Sequence, residues 1–206
     1  MRILDPTAHA QVRARILDAA LKVFSANGYH DASMNEVARA AGLAKAALYH
    51  YFPGKHALLE ALHSDMWGAA MKDLAAMPKP RGLRQALTIT GQGYLLHFGQ
   101  ESHAAMMRVA FDLSIQEPEL MRSLAGLGSK LDGALVDYFR PCFPKGARKQ
   151  DILMHVMPFF GALFHYLFVL SRACPAELLP CDAPRYLDHL IDVFAVFPRR
   201  TPRGKS

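Results

Sequence analysis

Between Ser33 and Lys55 the chain reads SMNEVARAAGLAKAALYHYFPGK. If the stretch after Gly42 is helical, Leu48 turns to one side, and Lys45, Ala46, Ala47, Tyr49, His50 and Tyr51 are left facing outward. These residue types suit the edges of stacked bases. A lysine ammonium can donate to guanine or to phosphate, and an alanine methyl can meet the methyl of thymine. A tyrosine hydroxyl, the backbone N–H groups at a helix start, or the ammonium of Lys55 can hold phosphates and fix register without reading sequence.

Such a face needs a scaffold, and the flanking residues supply its punctuation. Ser33 followed by Glu36 is a capping box, in which each side chain satisfies a backbone donor at the start of a helix. Ala41-Gly42 ends that helix, because glycine accepts the left-handed conformation of a helix stop. A third helix is expected from about Ala44 to Tyr51 and is broken by Phe52-Pro53-Gly54. Val37, Ala38, Leu43 and Leu48 are placed to glue this pair onto a preceding first helix. That helix is expected to begin near Asp5-Pro6 and to carry Val12, Ile16, Ala19, Ala20, Val23 and Phe24 as one stripe up to Asn27-Gly28. Two short helices around a tight glycine turn form the layout of a helix-turn-helix, whose second helix enters the DNA major groove.

The segment ILDAALKVFSANGYHDASMNEVARAAGLAKAALYHYFPGKHALLEAL resembles the N-terminal DNA-binding region of the TetR family of transcriptional repressors. The residues that carry the resemblance are Ile16, Ala19, Ala20, Phe24 and Gly28, then Ser33, Val37, Ala38, Ala41, Gly42 and Leu43, then Leu48, Tyr49, Phe52, Lys55, Leu58 and Leu59. The resemblance implies a two-domain, all-helical homodimer. Its N-terminal domains bind a palindromic operator, and its C-terminal domains bind a small molecule that releases the DNA. Carried over by position, Lys45, Ala46 and Ala47 fall where base edges are contacted. Tyr49, His50 or Tyr51, and Lys55 fall at backbone contacts, and Ser33 falls at a phosphate contact. Ala44 stands where the family usually has a serine or threonine cap, whose absence costs about 1 kcal/mol of helix stability. Ala47 stands where a polar residue is usual, which leaves base readout to Lys45, methyl contacts and DNA shape.

The expected fold is therefore all-α, with about nine helices in the 206 residues. Residues 1–55 form the three-helix helix-turn-helix domain, 56–198 a larger helical domain for effector binding and dimerisation, and 199–206 a basic tail. The fourth helix starts at Lys55 and is ended by Pro78-Lys79-Pro80. Five more helices follow, over about Gly82–Gln100, Ser102–Gln116, Pro118–Phe139, Ala147–Ala173 and Asp182–Phe197. Excess positive charge is terminal. Residues 1–60 hold seven Lys/Arg against five Asp/Glu, residues 61–198 are balanced, and the tail adds Arg199, Arg200, Arg203 and Lys205.

Ile152–Leu170 is nineteen residues without Asp, Glu, Lys or Arg, which approaches the length of a membrane span. His155, Pro158 and His165 interrupt it, and it reads as a helix buried on two faces, one of them against a second subunit. Phe160, Leu163, Phe164 and Leu167, with Leu190, Ile191 and Phe194 of the last helix, are the expected dimer interface. No membrane partner is expected. Trp67, Tyr94, Phe98, Met106, Met107, Phe111, Phe159 and Tyr166 are candidate walls for a mainly apolar effector. Arg108 is a candidate anchor for a ligand carboxylate, with a salt bridge to Asp112 as the simpler use. The fourth helix, joining the DNA-facing end to this pocket, is the expected route of the switch. A regulator with no effector is the alternative.

No metal and no cofactor are expected. The ten histidines show neither HExxH nor paired spacing, and Cys142, Cys174 and Cys181 form neither a zinc knuckle nor a disulfide framework. No nucleophile elbow, phosphate loop or dinucleotide glycine pattern appears, so an enzyme is not expected. The opening MRILDPTAHAQ lacks the apolar run of a secretory signal, and a cytoplasmic location is expected.

Overall fold

The computed structural model describes residues 6–170, 175, 177, 179 and 181–196, and is all-α among them. The helices are α1 (Pro6–Asn27), α2 (Met34–Ala40), α3 (Lys45–Tyr51), α4 (Lys55–Ala76), α5 (Leu83–Phe98), α6 (Glu101–Gln116), α7 (Pro118–Phe139), α8 (Lys149–His165) and α9 (Ala183–Phe194). A 3-10 turn, Arg140–Cys142, follows α7, and a π-turn, Tyr166–Leu170, follows α8. The helix expected to reach Ala173 thus changes its winding at Tyr166. The basic tail 199–206, Cys174 and Phe197 lie outside the described residues.

The chain groups into two compact units, Met1–Lys72 with Gln100–Leu131, and Asp73–Gly99 with Asp132–Ser206. This grouping differs from a division at 55/56. The reason is that α6 packs on α1, which draws residues after Gln100 into the first unit.

In the first unit, Ile16, Ala20 and Phe24 recur every fourth residue on α1 and are fully buried. Val37 and Ala38 of α2, Leu48 of α3, and Leu58 and Leu59 of α4 are buried in the same unit. α6 adds Ala104, Val109 and Leu113. Gly28 (φ 79°) ends α1 and Gly42 (φ 64°) ends α2, both in the region that disfavours a side chain. At Gly42 the stop is a Schellman turn. The Leu43 N–H donates to the Ala38 carbonyl at 2.9 Å, and the Gly42 N–H to that of Arg39 at 3.1 Å.

In the second unit, α8 packs against α5 and α9. Ile152, Val156, Phe159 and Leu163 of α8 are buried, as are Ala86 and Leu87 of α5 and Leu187, Leu190 and Ile191 of α9. Thr90 is buried within α5 with its hydroxyl donating to the Ala86 carbonyl at 2.7 Å, which satisfies the group locally. Gly91 marks the closest approach of α5 to its neighbours, for a Cβ there would overlap Leu187 Cδ1 and press on the Phe159 ring.

The two units make opposite predictions for two helical glycines. Alanine gains about 0.5–1 kcal/mol over glycine in a helix interior. At Gly68 of α4 a Cβ meets nothing, so Gly68→Ala should raise stability by about that amount. At Gly91 overpacking of about 1–3 kcal/mol outweighs the gain, so Gly91→Ala should lower it. Urea denaturation of both variants beside the parent checks the two signs.

Candidate nucleic-acid interface

α3 has seven residues, too few to hold a helix in water unaided. Its N-cap position, Ala44, makes no side-chain hydrogen bond. What fixes it is tertiary, since Leu48 is completely buried and α3 packs on α2. With Leu48 inward, Lys45, Ala46, Tyr49 and His50 are exposed, while Ala47 and Tyr51 are half-buried. The Lys45 ammonium lies 5.9 Å from the centre of the Tyr49 ring, one turn along the helix. Tyr51 is held by stacking on His9 of α1, 4.7 Å between ring centres.

α2 is locked at its start by the expected capping box. The Glu36 N–H donates to Ser33 Oγ at 3.2 Å, and the Ser33 N–H donates to Glu36 Oε2 at 2.8 Å. The Ser33 hydroxyl also donates to Glu36 Oε2 at 2.7 Å, and Asn27 Nδ2 donates to Oε1 at 3.1 Å. The hydroxyl and backbone donors of Ser33 hold the Glu36 carboxyl below the usual carboxylate range. Ser33 is thus bound into the cap with its hydroxyl and backbone donors both given to Glu36, so a phosphate contact from this half-exposed residue requires the hydroxyl to turn away from that carboxylate.

Lys55 is also committed. Its ammonium donates to the Tyr29 carbonyl at 2.8 Å and the His30 carbonyl at 2.7 Å, and sits 5.0 Å from the centre of the Tyr29 ring. Two of its three N–H donors therefore tie the loop after α1 to the start of α4, and one remains. Burial, followed by the Glu117 carboxylate, pushes the Tyr29 hydroxyl up from its ordinary pKa.

The residues expected to line an effector pocket fall into both units, and each set stands by itself. In the first unit Met106 is buried, Met107 is half-buried, and Phe111 is 59% exposed. Arg108 does not bridge to Asp112; its guanidinium bonds to Glu101 Oε1 at 3.0 Å, because the carboxylate at the start of α6 reaches it first. The Trp67 indole N–H donates to His63 Nε2 at 2.9 Å, an interaction no sequence spacing flagged. His63 is buried, and its desolvation pushes its pKa below the ordinary histidine value. Because Nε2 accepts from Trp67, the neutral ring has its proton on Nδ1. A cavity of about 210 Å3 in this unit is lined by Phe24 of α1, Tyr29 and Asp31 of the loop after it, and Val109 and Asp112 of α6, and by none of the expected pocket residues. In the second unit Tyr94 stacks between Phe98 and Phe160, at 4.6 and 5.5 Å, and burial drives its hydroxyl pKa strongly upward. Phe159 is fully buried, and the buried Tyr166 donates its hydroxyl to the Cys181 carbonyl at 2.7 Å. Both are packing residues of that unit.

Of the expected interface residues, Leu163, Leu190 and Ile191 are buried inside their own unit. Phe160, Phe164, Leu167 and Phe194 are half-buried. The outward stripe of α8 runs instead through Met154, Met157, Pro158 and Gly161 to His165, with Val169 beyond it in the π-turn. Lys149–Leu170 is the one described segment long and apolar enough to cross a membrane, but its buried residues form a stripe facing α5 and α9. Among the described residues no three histidine, cysteine or carboxylate side chains gather as a metal site would need.

Known proteins resemble this arrangement. Residues 16–62 match the model of the family described as bacterial regulatory proteins, tetR family. The HTH-type transcriptional regulator BetI of Escherichia coli O127:H6 is 32% identical over 139 residues, spanning 65% of this chain and 70% of that one. Among solved structures, Salmonella enterica GusR superposes with a TM-score of 0.69 at 19% identity, over 93% of this chain and 98% of its own. The regulator FadR of Bacillus subtilis, solved in complex with stearoyl-CoA, gives 0.61 at 17% identity, over 88% and 97%. BetI and FadR are transcriptional regulators, and this chain is a regulator of that kind and not an enzyme. A capped α2, a Schellman turn at Gly42 and a recognition helix anchored by Leu48 thus occur where the family model matches, and the chain belongs to the TetR family of DNA-binding transcriptional regulators.

Proposed function

We propose that the protein is a cytoplasmic homodimeric repressor whose two α3 helices read the half-sites of a palindromic operator. The observation that carries this reading is the exposed face of α3, with Lys45, Ala46, Tyr49 and His50 outward over a buried Leu48. Lys45, Ala46 and Ala47 are assigned to base edges. Tyr49, His50, Tyr51 and Ser33 are assigned to the sugar–phosphate backbone. Lys55 is given two tasks, holding the Tyr29–His30 loop with two protons and a phosphate with the third. A dimer is required because one seven-residue helix spans few base pairs. Support for its seam comes from the outward Met154, Met157 and Gly161 stripe of α8, an exposed apolar surface with only His165 as a polar member.

Release by a mainly apolar effector draws support from the aromatic group around Tyr94 and from the stearoyl-CoA bound to FadR. His63 and Trp67 add a polar pair on α4. The second reading, a repressor with no effector, draws on the complete burial of Met106, Phe159 and Tyr166 as packing residues. A thermal-shift screen of lipophilic compounds, followed by operator titration, separates the two. An effector must weaken DNA binding by the factor by which DNA weakens its own binding.

Two variants test the assignment of α3. Lys45→Ala should relax choice at one base pair, with a loss of about 1–3 kcal/mol of discrimination. Lys55→Ala should weaken all sequences alike and make the plot of log affinity against log salt shallower by about 0.9. Parallel salt plots would leave Lys55 with its loop-holding task alone. Fluorescence anisotropy on a duplex selected by the wild-type protein measures both.

The seam has a separate test. Met157 is exposed, so Met157→Glu should leave each subunit folded while placing a charge in the interface. Sedimentation equilibrium should give twice the chain mass for the wild type and a value near 22.8 kDa for the variant.

A further inference from the structure

We infer that His9, Arg13 and Asp65 form a clamp that sets the angle of the DNA-reading helix, with Arg13 and Asp65 as positioning residues for operator recognition. His9 and Arg13 lie one turn apart on α1 and meet consecutive residues where α3 ends. The His9 ring stacks on Tyr51, 4.7 Å between centres with 27° between planes. The Arg13 guanidinium lies 5.9 Å from the centre of the Phe52 ring, the residue that closes α3. Phe52 is buried, so its ring is a fixed post and not a loose side chain.

The guanidinium is itself held. Its two terminal nitrogens donate to the two carboxylate oxygens of Asp65 on α4, at 2.7 and 3.3 Å. This fork fixes the guanidinium plane, as a single ammonium would not. The clamp thus joins α1, the exit of α3 and the middle of α4 through one planar group. The opposite end of α3 has no such tie, since Ala44 makes no cap. Between its ends α3 is pinned by Leu48 and, at its exit, by this clamp. A tilt of α3 about Leu48 changes which base edges Lys45 and Ala46 reach, so the clamp acts on specificity and not on the bulk attraction to phosphate.

The pair is partly exposed, with Arg13 at 38% and Asp65 at 51%, so it adds little to folding stability. That separates its two possible effects. Removing the negative charge of Asp65 raises attraction to DNA if charge alone matters. Freeing Arg13 and Phe52 lowers operator affinity if position matters.

The inference rests on α3 being the reading helix, and the experiment keeps the two apart. Operator affinity of the full-length protein is measured on a duplex selected by the wild type, and non-specific affinity on a scrambled duplex of equal length. Asp65→Asn should lose about tenfold on the operator, the size of one disrupted base contact, with scrambled-duplex affinity and melting temperature unchanged. Arg13→Lys, which keeps the charge but not the planar fork, should lose about as much on the operator as Asp65→Asn. Unchanged or higher operator affinity for Asp65→Asn, with loss on Lys45→Ala, overturns the clamp and leaves the reading of α3 standing. No loss on either variant overturns both. Equal losses on the two duplexes for Asp65→Asn, or wild-type operator affinity for Arg13→Lys, also overturn it.

Discussion

The burial of Leu48 is the interaction on which the rest of the DNA-facing structure depends. α3 is seven residues long and starts without a side-chain cap, so its own backbone bonds do not stabilise it. Leu48 is completely buried in a unit whose core is Ile16, Ala20, Phe24, Val37 and Leu58. A leucine at a fully buried site is worth about 2–5 kcal/mol against alanine, several times the missing cap. The packing term wins, and the helix exists because it is docked. The same inward turn of Leu48 decides which side chains face out. The outward placement of Lys45 and Tyr49 is therefore set by one apolar contact on the opposite side of the helix.

Docking fixes where α3 sits but leaves its surroundings to polar ties. The loop after α1 has a backbone bond of its own, from the Ala32 N–H to the Gly28 carbonyl at 3.2 Å, and the Lys55 ammonium gathers two more of its carbonyls. Glu36 closes the start of α2 and also takes the amide of Asn27, the last residue of α1. Two helix ends and one loop are thereby joined by two charged groups, each meeting backbone or amide partners as well as its own element. Such charge-assisted bonds are short and directional, which suits them to setting angles. The bulk of the folding energy comes from the apolar core beneath them.

How much of this was legible in the chain depends on the range of each interaction. The capping box at Ser33 and Glu36, and the stop at Gly42, were readable because the bonded partners lie three to five residues apart. The four-residue recurrence of Ile16, Ala20 and Phe24 was readable for the same reason. Arg13 with Asp65, 52 residues apart, left no local trace. Nor did His63 with Trp67, although they stand four apart, because neither residue type in that order announces a bond. Arg108 had two carboxylates within helical reach, Asp112 four residues on and Glu101 seven back, and only the packed structure chose the second. The ambiguity over Lys55 has a like origin. Its type and place at a helix start suit a phosphate, while the carbonyls that occupy it come from a loop about 25 residues earlier.

The apolarity of α8 makes the same point about composition. A run such as Ile152–Leu170 satisfies a length test for membrane spans, but the test counts residues without asking which way they face. Ile152, Val156, Phe159 and Leu163 face inward against α5 and α9, and their spacing of three and four fills one stripe. Met154, Met157 and Gly161 occupy the other with nearly the same period. One mainly apolar segment is thus two stripes, one buried and one outward. A lipid-facing helix has no cause to place a histidine, a proline and a glycine on its outer side, where a close-packed partner can use a small residue and an irregular backbone. His155 resolves its polarity within the chain, with Nε2 at 2.8 Å from the Phe194 carbonyl. The inward stripe and the polar interruptions of the run are therefore what distinguish this helix, packed on its own unit, from a membrane span.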